Sequence, residues 1–308
     1  MPALADSLPS REIPALDLSA PPLPLNFEDL LGRVRAREEF EAFARRPEDG
    51  MDLLEGALLM AREEYPRLDT AAYRLRLREM AEAARRKVPA GAPAPRALAA
   101  INELLFEEEG FHGDRETYYD PRNSYINEVI DRRTGIPITL ALVYLEVGRR
   151  IGLPLEGVNF PGHFLVSYRG PERDVLLDPF EGGRTLGTRE CEARLKASLG
   201  EGARLGPRFV QPAGARQFLY RMLNNLKGIY MKAGELGRAL ACVERMLMLV
   251  PRSSTDRRDR GLLLFHLDFP ELARRDLEAY LLEETASQDA GPVFEHLKSL
   301  QQRRRHTS

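Results

Sequence analysis

A histidine and an aspartate at the edges of two short apolar runs are the side chains of this sequence best suited to catalysis. His163 opens the run HFLVSY, and Asp178 closes the run DVLLD. If these runs form an antiparallel hairpin around Gly170 and Pro171, residues whose numbers sum to 341 face each other, and His163 and Asp178 are such a pair. Their Cβ atoms would lie ~5 Å apart, so the carboxylate would orient the imidazole and stabilise its protonated form. A register shift of one residue would move the two side chains to opposite faces.

A nucleophile that this pair could activate is hard to find in the sequence. Thr139 lies in the first turn of a predicted helix and is a weak candidate, because threonine hydroxyls there usually bond to the local backbone. Cys191 lies between two glutamates, which raise the pKa of a thiol, and Cys242 lies in an apolar helical segment that favours burial. A buried structural pair therefore stays an alternative to a catalytic one for His163 and Asp178.

The elements that must position these residues follow from the hydrophobic pattern. The segment GIPITLALVYLEVGRRIG (residues 135–152) predicts a helix of about 14 residues, since Pro137 suits the first turn and Gly152 with Pro154 stops it. Apolar residues on almost every side indicate that this helix is central and buried. Three closely spaced strand-like runs follow and predict an antiparallel meander. They span residues 155–160, 163–168 and 174–178. Within the Gly-rich and charged segment 181–207, the stretch GGRTLG (residues 182–187) is predicted to be an ordinary loop.

The flanking segments predict helical lobes around this α+β core. Residues 1–25 are rich in Pro, Ser and Ala and are predicted to be a disordered tail. Residues 26–95 have the apolar spacing of a helical N-terminal lobe. We assign the core to residues 96–207 and a helical lobe of tetratricopeptide type to residues 208–300.

The C-terminal lobe fits a repeat of ~34 residues. With Pro251 at the late proline position, small and apolar residues fall on the packing positions. These are Leu223, Leu226, Tyr230 and Ala239 in the first repeat, and Gly261 and Ala273 in the second. Two repeats are fewer than the roughly three that such an array needs, so the lobe is predicted to pack against the core. A plain pair of helical hairpins is the alternative.

Composition and charge exclude several classes of function. The 308 residues carry 45 Lys and Arg against 47 Asp and Glu, so the net charge of −2 offers no basic field for nucleic acid or a membrane surface. The longest apolar run is far shorter than the ~20 residues of a membrane span, and two cysteines cannot form a disulfide framework. The five histidines are scattered, so no metal site and no cofactor is predicted. These features favour a cytoplasmic protein.

Long strings of this sequence resemble one bacterial family. NSYINEVIDRRTGIPITLALVYLEVGRRIGLPLEGVNFPGHFLVSY (residues 123–168), LLDPFEGG (residues 176–183) and MDLLEGALLMAREEYPRLD (residues 51–69) are similar to the SirB-one family. The resemblance covers roughly residues 45–290. It implies a transglutaminase-like (papain-like) core with a buried helix and a short antiparallel sheet, joined to C-terminal tetratricopeptide repeats.

The resemblance also points to a departure from the active enzymes. In active transglutaminases a Gly-x-Cys opens the core helix, and the matching position here holds Pro137. Proline has neither a nucleophilic atom nor an N–H for an oxyanion hole, so thiol-dependent acyl transfer cannot run from this position. Asn123, Asn127 and Arg132 are implied to lie near the same cleft, where they can bind a peptide carbonyl or carboxylate. A helix cap and a surface charge are the plainer alternatives.

The expected function is a protein-interaction or regulatory module that binds a protein or peptide partner through its repeats. His163 and Asp178 would then be a residual dyad. The alternative is a peptidase or amidase in which Asp178 orients His163 as general base for water or for Thr139. In a third possibility, the two residues form only a buried structural pair.

Overall fold

The computed structural model describes residues 26–171, 173–284 and 287–307, with side chains as far as residue 302. The tail predicted at residues 1–25 lies outside the described residues. The helices, in chain order, are α1 (Phe27–Ala44), α2 (Leu53–Glu64), α3 (Thr70–Arg86), α4 (Ala94–Asn102), α5 (Ile126–Arg132), α6 (Pro137–Arg150), α7 (Thr188–Leu199), α8 (Ala215–Lys232), α9 (Leu236–Leu249), α10 (Ser254–His266), α11 (Pro270–Glu283) and α12 (Ala290–Thr307). The strands are β1 (His112–Gly113), β2 (Thr134–Gly135), β3 (Leu155–Val158), β4 (Leu165–Arg169), β5 (Asp174–Asp178) and β6 (Arg184–Leu186).

Helix α6 lies at the centre of the fold, which confirms the prediction from its apolar pattern. It begins at Pro137 and ends at Arg150, and Gly152 follows with a φ of +93° that favours glycine. Leu142, Tyr144 and neighbouring side chains on every face of the helix are buried. The helices α3, α4, α5 and α8 and the strands β3 and β4 pack around it. The N-terminal end of α6 is therefore enclosed by other elements of the core.

The predicted antiparallel meander is confirmed, but its predicted register is wrong. Strands β3, β4, β5 and β6 form one antiparallel sheet in that order. Arg169 pairs with Asp174, so facing residues in β4 and β5 have numbers that sum to 343 rather than 341. The connection is two residues longer than the tight turn that the prediction assumed. Because side chains alternate with a period of two, a slip of two residues keeps them on the same face.

The stretch 182–187, predicted to be a loop, contains strand β6, and helix α7 follows it. Gly187 precedes α7, and its backbone N–H donates to the Glu190 carboxylate at 3.0 Å, which caps the helix. Only Cys191 and Leu195 are buried on α7, so its apolar pattern is too sparse to predict a helix. The short parallel pair of β1 and β2 is also absent from the sequence prediction. Two residues per strand leave no periodicity to detect.

The C-terminal lobe has the paired helices of the predicted repeats. Helix α8 packs against α9, and α10 packs against α11. The residues assigned to packing positions are buried, namely Leu223, Leu226, Tyr230, Ala239, Gly261 and Ala273. Helices α8 and α9 belong to the same apolar cluster as α2 and α6, so the lobe packs against the core as predicted.

One continuous apolar cluster joins the three predicted segments. It runs from Phe40 in α1 to Leu263 in α10 and includes residues of the core between them. At the junction of core and repeats the hydroxyls of Tyr125 and Tyr230 lie 2.7 Å apart. The domain limits given above stay predictions. No helix within the described part of the chain is both long and apolar enough to cross a bilayer.

Candidate functional site

The structure brings His163 and Asp178 together at one end of the sheet, where β4 begins and β5 ends. His163 Nε2 lies 2.9 Å from Asp178 Oδ1. Asp178 ends β5 and is fully buried, and its Oδ1 also accepts the backbone N–H of Phe180 at 3.1 Å. The His163 side chain is 11% exposed and lies in the turn before β4, not in the strand itself. The pair therefore forms across a diagonal and not between directly facing residues.

A third residue, Arg194, completes this cluster and was missed by the sequence analysis. It lies on α7, and its Nη2 donates to Asp178 Oδ2 at 2.8 Å. The carboxylate therefore serves two cationic or potentially cationic partners, one on each oxygen. The spacing of Gly187 and Glu190, typical of a helix cap, is the sequence signal that would have placed Arg194 on a helix.

The ring of His163 is fixed on one side by this cluster and on another by an aromatic neighbour. Its Nε2 is used by Asp178, so Nδ1 is the ring nitrogen left for any other partner. The ring meets that of Phe180 edge to face, with centroids 5.9 Å apart and an interplanar angle of 87°. Two independent contacts thus hold the imidazole in one orientation.

Pro137 and Thr139 lie at the start of α6, and both are buried. Pro137 occupies the first turn and offers no N–H. The Thr139 hydroxyl accepts the backbone N–H of Ile136 at 3.1 Å and donates to the carbonyl oxygen of Asn123 at 2.8 Å. The hydroxyl thus caps the helix and ties it to the preceding segment. A nucleophile would have to give up both hydrogen bonds, so this geometry favours the structural alternative for Thr139.

Asn123 is the hub of a second polar cluster in front of α6. Its side chain is fully buried and its Nδ2 donates to Asp114 Oδ2 and to the carbonyl oxygen of Thr117, both at 2.9 Å. Its Oδ1 accepts Arg132 Nη1 at 3.1 Å. The structure therefore joins the predicted binding residues Asn123 and Arg132, but it uses Asn123 for internal bonds. Asn127 is also buried, and its Oδ1 has no partner among the described residues.

Asp114 anchors this second cluster and has a strongly perturbed acidity. Burial alone would raise its pKa, but hydrogen bonds from Thr117, Asn123 and the backbone of Glu116 together lower the pKa to about 2. The carboxylate is therefore charged at neutral pH and holds the loop that follows it. The sequence analysis did not single out Asp114. An Asp followed three residues later by Thr is the pattern of a local turn, which is the signal that was available.

The two cysteines are buried, as their sequence context suggested for Cys242. Burial raises the pKa of Cys191 and raises that of Cys242 to about 12. Both thiols therefore stay protonated at neutral pH, which makes them poor nucleophiles. Across the described side chains, no three His, Cys, Asp or Glu residues come together in a group suited to a metal ion.

A cleft lies near the opposite end of α6. It has a volume of about 700 Å³ and is lined by Glu146, Arg149 and Arg150 of α6, by the α1–α2 connection and by the segment that enters α8. Neither His163 nor Pro137 lines it. Glu146 is 9% exposed and pairs with Arg150 at 2.8 Å, and burial raises its pKa.

Comparisons with known proteins match both halves of the chain. Residues 71–224 match the family model described as transglutaminase-like superfamily, and residues 226–300 match a tetratricopeptide-repeat model. A UPF0162 protein of Xylella fastidiosa (strain 9a5c) is 38% identical over 271 residues, which is 87% of this chain and 96% of that protein. A UPF0162 protein of Vibrio cholerae is 31% identical over 247 residues, or 80% of this chain and 91% of that protein. F-box only protein 21 of Mus musculus is 36% identical over 145 residues, 44% of this chain and 22% of that protein. No solved structure is a significant match.

Proposed function

Because the chain belongs to the UPF0162 family and to the transglutaminase-like superfamily, and carries tetratricopeptide repeats, we propose that it is a non-catalytic protein-interaction module. Its regulatory role, its place in the SirB-one family and its cytoplasmic location belong to this proposal. The partner is a protein or peptide, bound by the repeat lobe and by the surface beside His163. Tetratricopeptide repeats generally mediate contacts between proteins, which supports this assignment.

The observation that carries the proposal is the start of α6. Acyl transfer by a transglutaminase-like core needs a nucleophile at this helix end, and Pro137 stands there. The adjacent hydroxyl of Thr139 is engaged with Ile136 and Asn123. In addition, Arg194 shares the Asp178 carboxylate with His163, as a structural ion-pair network would.

The hydrolase alternative retains one supporting observation, which is the 2.9 Å contact between His163 Nε2 and Asp178 Oδ1. This contact fixes the tautomer of the imidazole, as a general base requires. Without a positioned nucleophile such a base would have to activate water directly.

The test is turnover of p-nitrophenyl acetate and of a peptide p-nitroanilide by the full chain and by His163→Ala. We expect the two proteins to be indistinguishable from each other and from the buffer. Turnover by the wild type that His163→Ala abolishes would overturn the proposal and favour the hydrolase. In that event Thr139→Ala separates a threonine nucleophile, which it removes, from activated water, which it spares.

Thermal unfolding of the same variant addresses the third possibility. If His163 and Asp178 form only a structural pair, His163→Ala lowers the melting temperature by several degrees and leaves partner binding unchanged. If the surface beside His163 binds a partner, His163→Ala also weakens that binding.

A further inference from the structure

A second, smaller cleft lies between helix α3 and the last residue of α6, and we call it the arginine cleft. It has a volume of about 250 Å³ and is lined by Arg78, Ala81, Glu82 and Arg85 of α3 and by Arg150 of α6. The four α3 residues are spaced i, i+3, i+4 and i+7, so they lie on one face of that helix. Ala81 is buried, and its small side chain leaves room between Arg78 and Arg85. Three guanidinium groups thus line the cleft beside a single carboxylate.

The two arginines that α3 contributes have no carboxylate partner within the described part of the chain. Arg78 makes neither a hydrogen bond nor an ion pair with any described residue. Arg85 donates through Nη2 to the backbone carbonyl oxygen of Arg150, which is a neutral acceptor. By contrast, Arg76 on the same helix forms an ion pair with Asp131. The positive charges of Arg78 and Arg85 are therefore available to a ligand.

Arg150 adds a buried donor to the cleft. Its Nη2 donates to Glu146 Oε2 at 2.8 Å, so one end of this guanidinium group is occupied. Its Nε is buried and has no hydrogen-bond partner among the described atoms. A buried N–H without an acceptor destabilises a folded protein, and most native structures avoid it. An acceptor atom bound in the cleft would satisfy this donor.

The chemistry of the lining favours a phosphate over a carboxylate. A guanidinium group is planar, and its paired donors match the oxygens of an oxyanion. A phosphate monoester carries a charge of about −1.5 to −2 at neutral pH and has three strong acceptor oxygens. It can therefore accept hydrogen bonds from three guanidinium groups at once. A carboxylate carries one charge and two oxygens, so it matches this set of donors less well.

We propose that the arginine cleft is a binding site for a phosphate monoester group. Arg78 and Arg85 hold the phosphate oxygens from α3, and the Nε–H of Arg150 donates from the end of α6. Neither His163 nor any residue of the repeat lobe lines this cleft. The site is therefore separate from the surface beside His163, and it does not depend on the proposed non-catalytic function. The phosphate group can belong to a free small molecule or to a phosphorylated side chain of a partner.

The experiment titrates methyl phosphate into the ¹⁵N-labelled full chain at about 150 mM NaCl and follows the arginine Nε–H resonances by NMR. The Arg150→Lys variant assigns the Arg150 signal, because that variant lacks it. We expect a saturable shift of the Arg150 Nε–H signal with a Kd of about 1 mM or lower, and at least tenfold weaker binding of acetate.

Variants of α3 test which arginines hold the phosphate. Arg78→Gln and Arg85→Gln should each weaken methyl phosphate binding by about tenfold. Arg86→Gln is the matched control, because it removes the same charge from the next position of the same helix turn and does not line the cleft. It should change the Kd by less than about twofold. Arg78 makes no contact that folding would lose, so Arg78→Gln remains informative if Arg85→Gln is unstable.

Two further probes distinguish the sources of the phosphate group. Tighter binding of the peptide Gly-Gly-phosphoserine-Gly-Gly than of glycerol 3-phosphate would assign the site to a phosphorylated partner, and the reverse order would assign it to a small molecule.

Three outcomes overturn the proposed site. They are no saturable shift up to about 20 mM methyl phosphate, acetate binding of equal affinity, or an equal loss of affinity in Arg86→Gln and Arg78→Gln. Ester turnover that depends on His163 would instead remove the proposed non-catalytic function and leave phosphate binding in the arginine cleft unaffected.

Discussion

The two ends of helix α6 differ in how far their polar groups are enclosed by the protein. At the closed end, defined by Pro137 and Thr139, the Thr139 hydroxyl is hydrogen-bonded to the backbone of Ile136 and Asn123. At the open end, defined by Glu146 and Arg150, an ion pair borders a cleft of about 700 Å³. One helix thus combines a sealed terminus with an accessible one.

Under the proposed non-catalytic function, the fold keeps the scaffold of an active site and uses its helix end for stability. In the superfamily the first turn of this helix is where chemistry is carried out, and here that turn is braced by the hub around Asn123. The side chains of Thr139 and Asn123 at the closed end have their hydrogen-bond partners inside the protein. Substitutions there should therefore lower stability, whereas substitutions at the open end should cost little.

The largest effect is expected from Asn123→Ala at the closed end. The change removes two donated and one accepted hydrogen bond and leaves Asp114 with fewer donors. We expect the free energy of unfolding to fall by about 3 kcal/mol, measured by urea denaturation. The control is Arg122→Ala, whose exposed side chain pairs with neighbouring Asp120 and should change stability far less. A loss under about 1 kcal/mol for Asn123→Ala would mean that the hub is not what braces the helix.

Arg194→Met should have the next largest effect. It leaves the fully buried Asp178 with His163 as its remaining side-chain partner, which we expect to cost about 2 kcal/mol by the same measurement. Arg184→Met is the matched control, because its ion pair with Glu190 is half exposed and should contribute little. Equal effects for the two arginines would argue against a structural network at Asp178.

Asp114→Asn tests the closed end through its pH dependence. The pKa of Asp114 is lowered from 3.8 to about 2 in the folded protein, so the folded state binds its proton less tightly than the unfolded state does. This carboxylate therefore stabilises the protein above pH about 4, and that contribution is lost as the pH falls towards 2. We expect Asp114→Asn to be clearly less stable than the wild type at pH 7, and the gap to narrow below pH 4. A gap that is the same at both pH values would contradict this assignment.

Glu146→Gln, at the open end, should have the smallest effect and the opposite sign. Burial raises the pKa of Glu146 above its usual 4.5, although the positive charge of Arg150 acts in the opposite direction. The folded state therefore binds this proton more tightly than the unfolded state does. As a result, the free energy of unfolding falls as the pH rises through the raised pKa. Removing the charge should change the free energy of unfolding by under about 1 kcal/mol at pH 7, in the stabilising direction, with no difference at pH 4. Urea denaturation at pH 4 and pH 7 measures this change in the free energy of unfolding. A destabilisation above about 2 kcal/mol at pH 7 would show that the ion pair with Arg150 outweighs the cost of burying the charge.

The sequence predicted the elements that have a strong apolar pattern. Helix α6 was placed from Pro137 to its glycine stop, and β5 was placed to the residue, because burial leaves a dense pattern in both. The proximity of His163 and Asp178 was also predicted, although through a register two residues away from the observed one.

The elements that complete the site carry too little pattern to be predicted. Helix α7 buries only Cys191 and Leu195, so its sequence resembles a polar loop and Arg194 was not considered. The hub around Asn123 is built from hydrogen bonds between side chains whose spacing in the sequence follows no helix or strand period, among them the bonds to Asp114 and Arg132. The contact between the rings of His163 and Phe180 depends on two loops that meet in the fold, and no local sequence pattern predicts it.

The shared apolar cluster determines how this protein unfolds and how it can be divided. Since α8 and α9 are buried against α2 and α6, and Tyr230 meets Tyr125 inside that contact, heat should melt the whole assembly in one cooperative endotherm. Cutting the chain between α7 and α8 and separating the two fragments would expose the apolar surfaces that they bury against each other. Each fragment alone should therefore aggregate. A substitution on one side of the contact between α8–α9 and the core should therefore require a matching change on the other side.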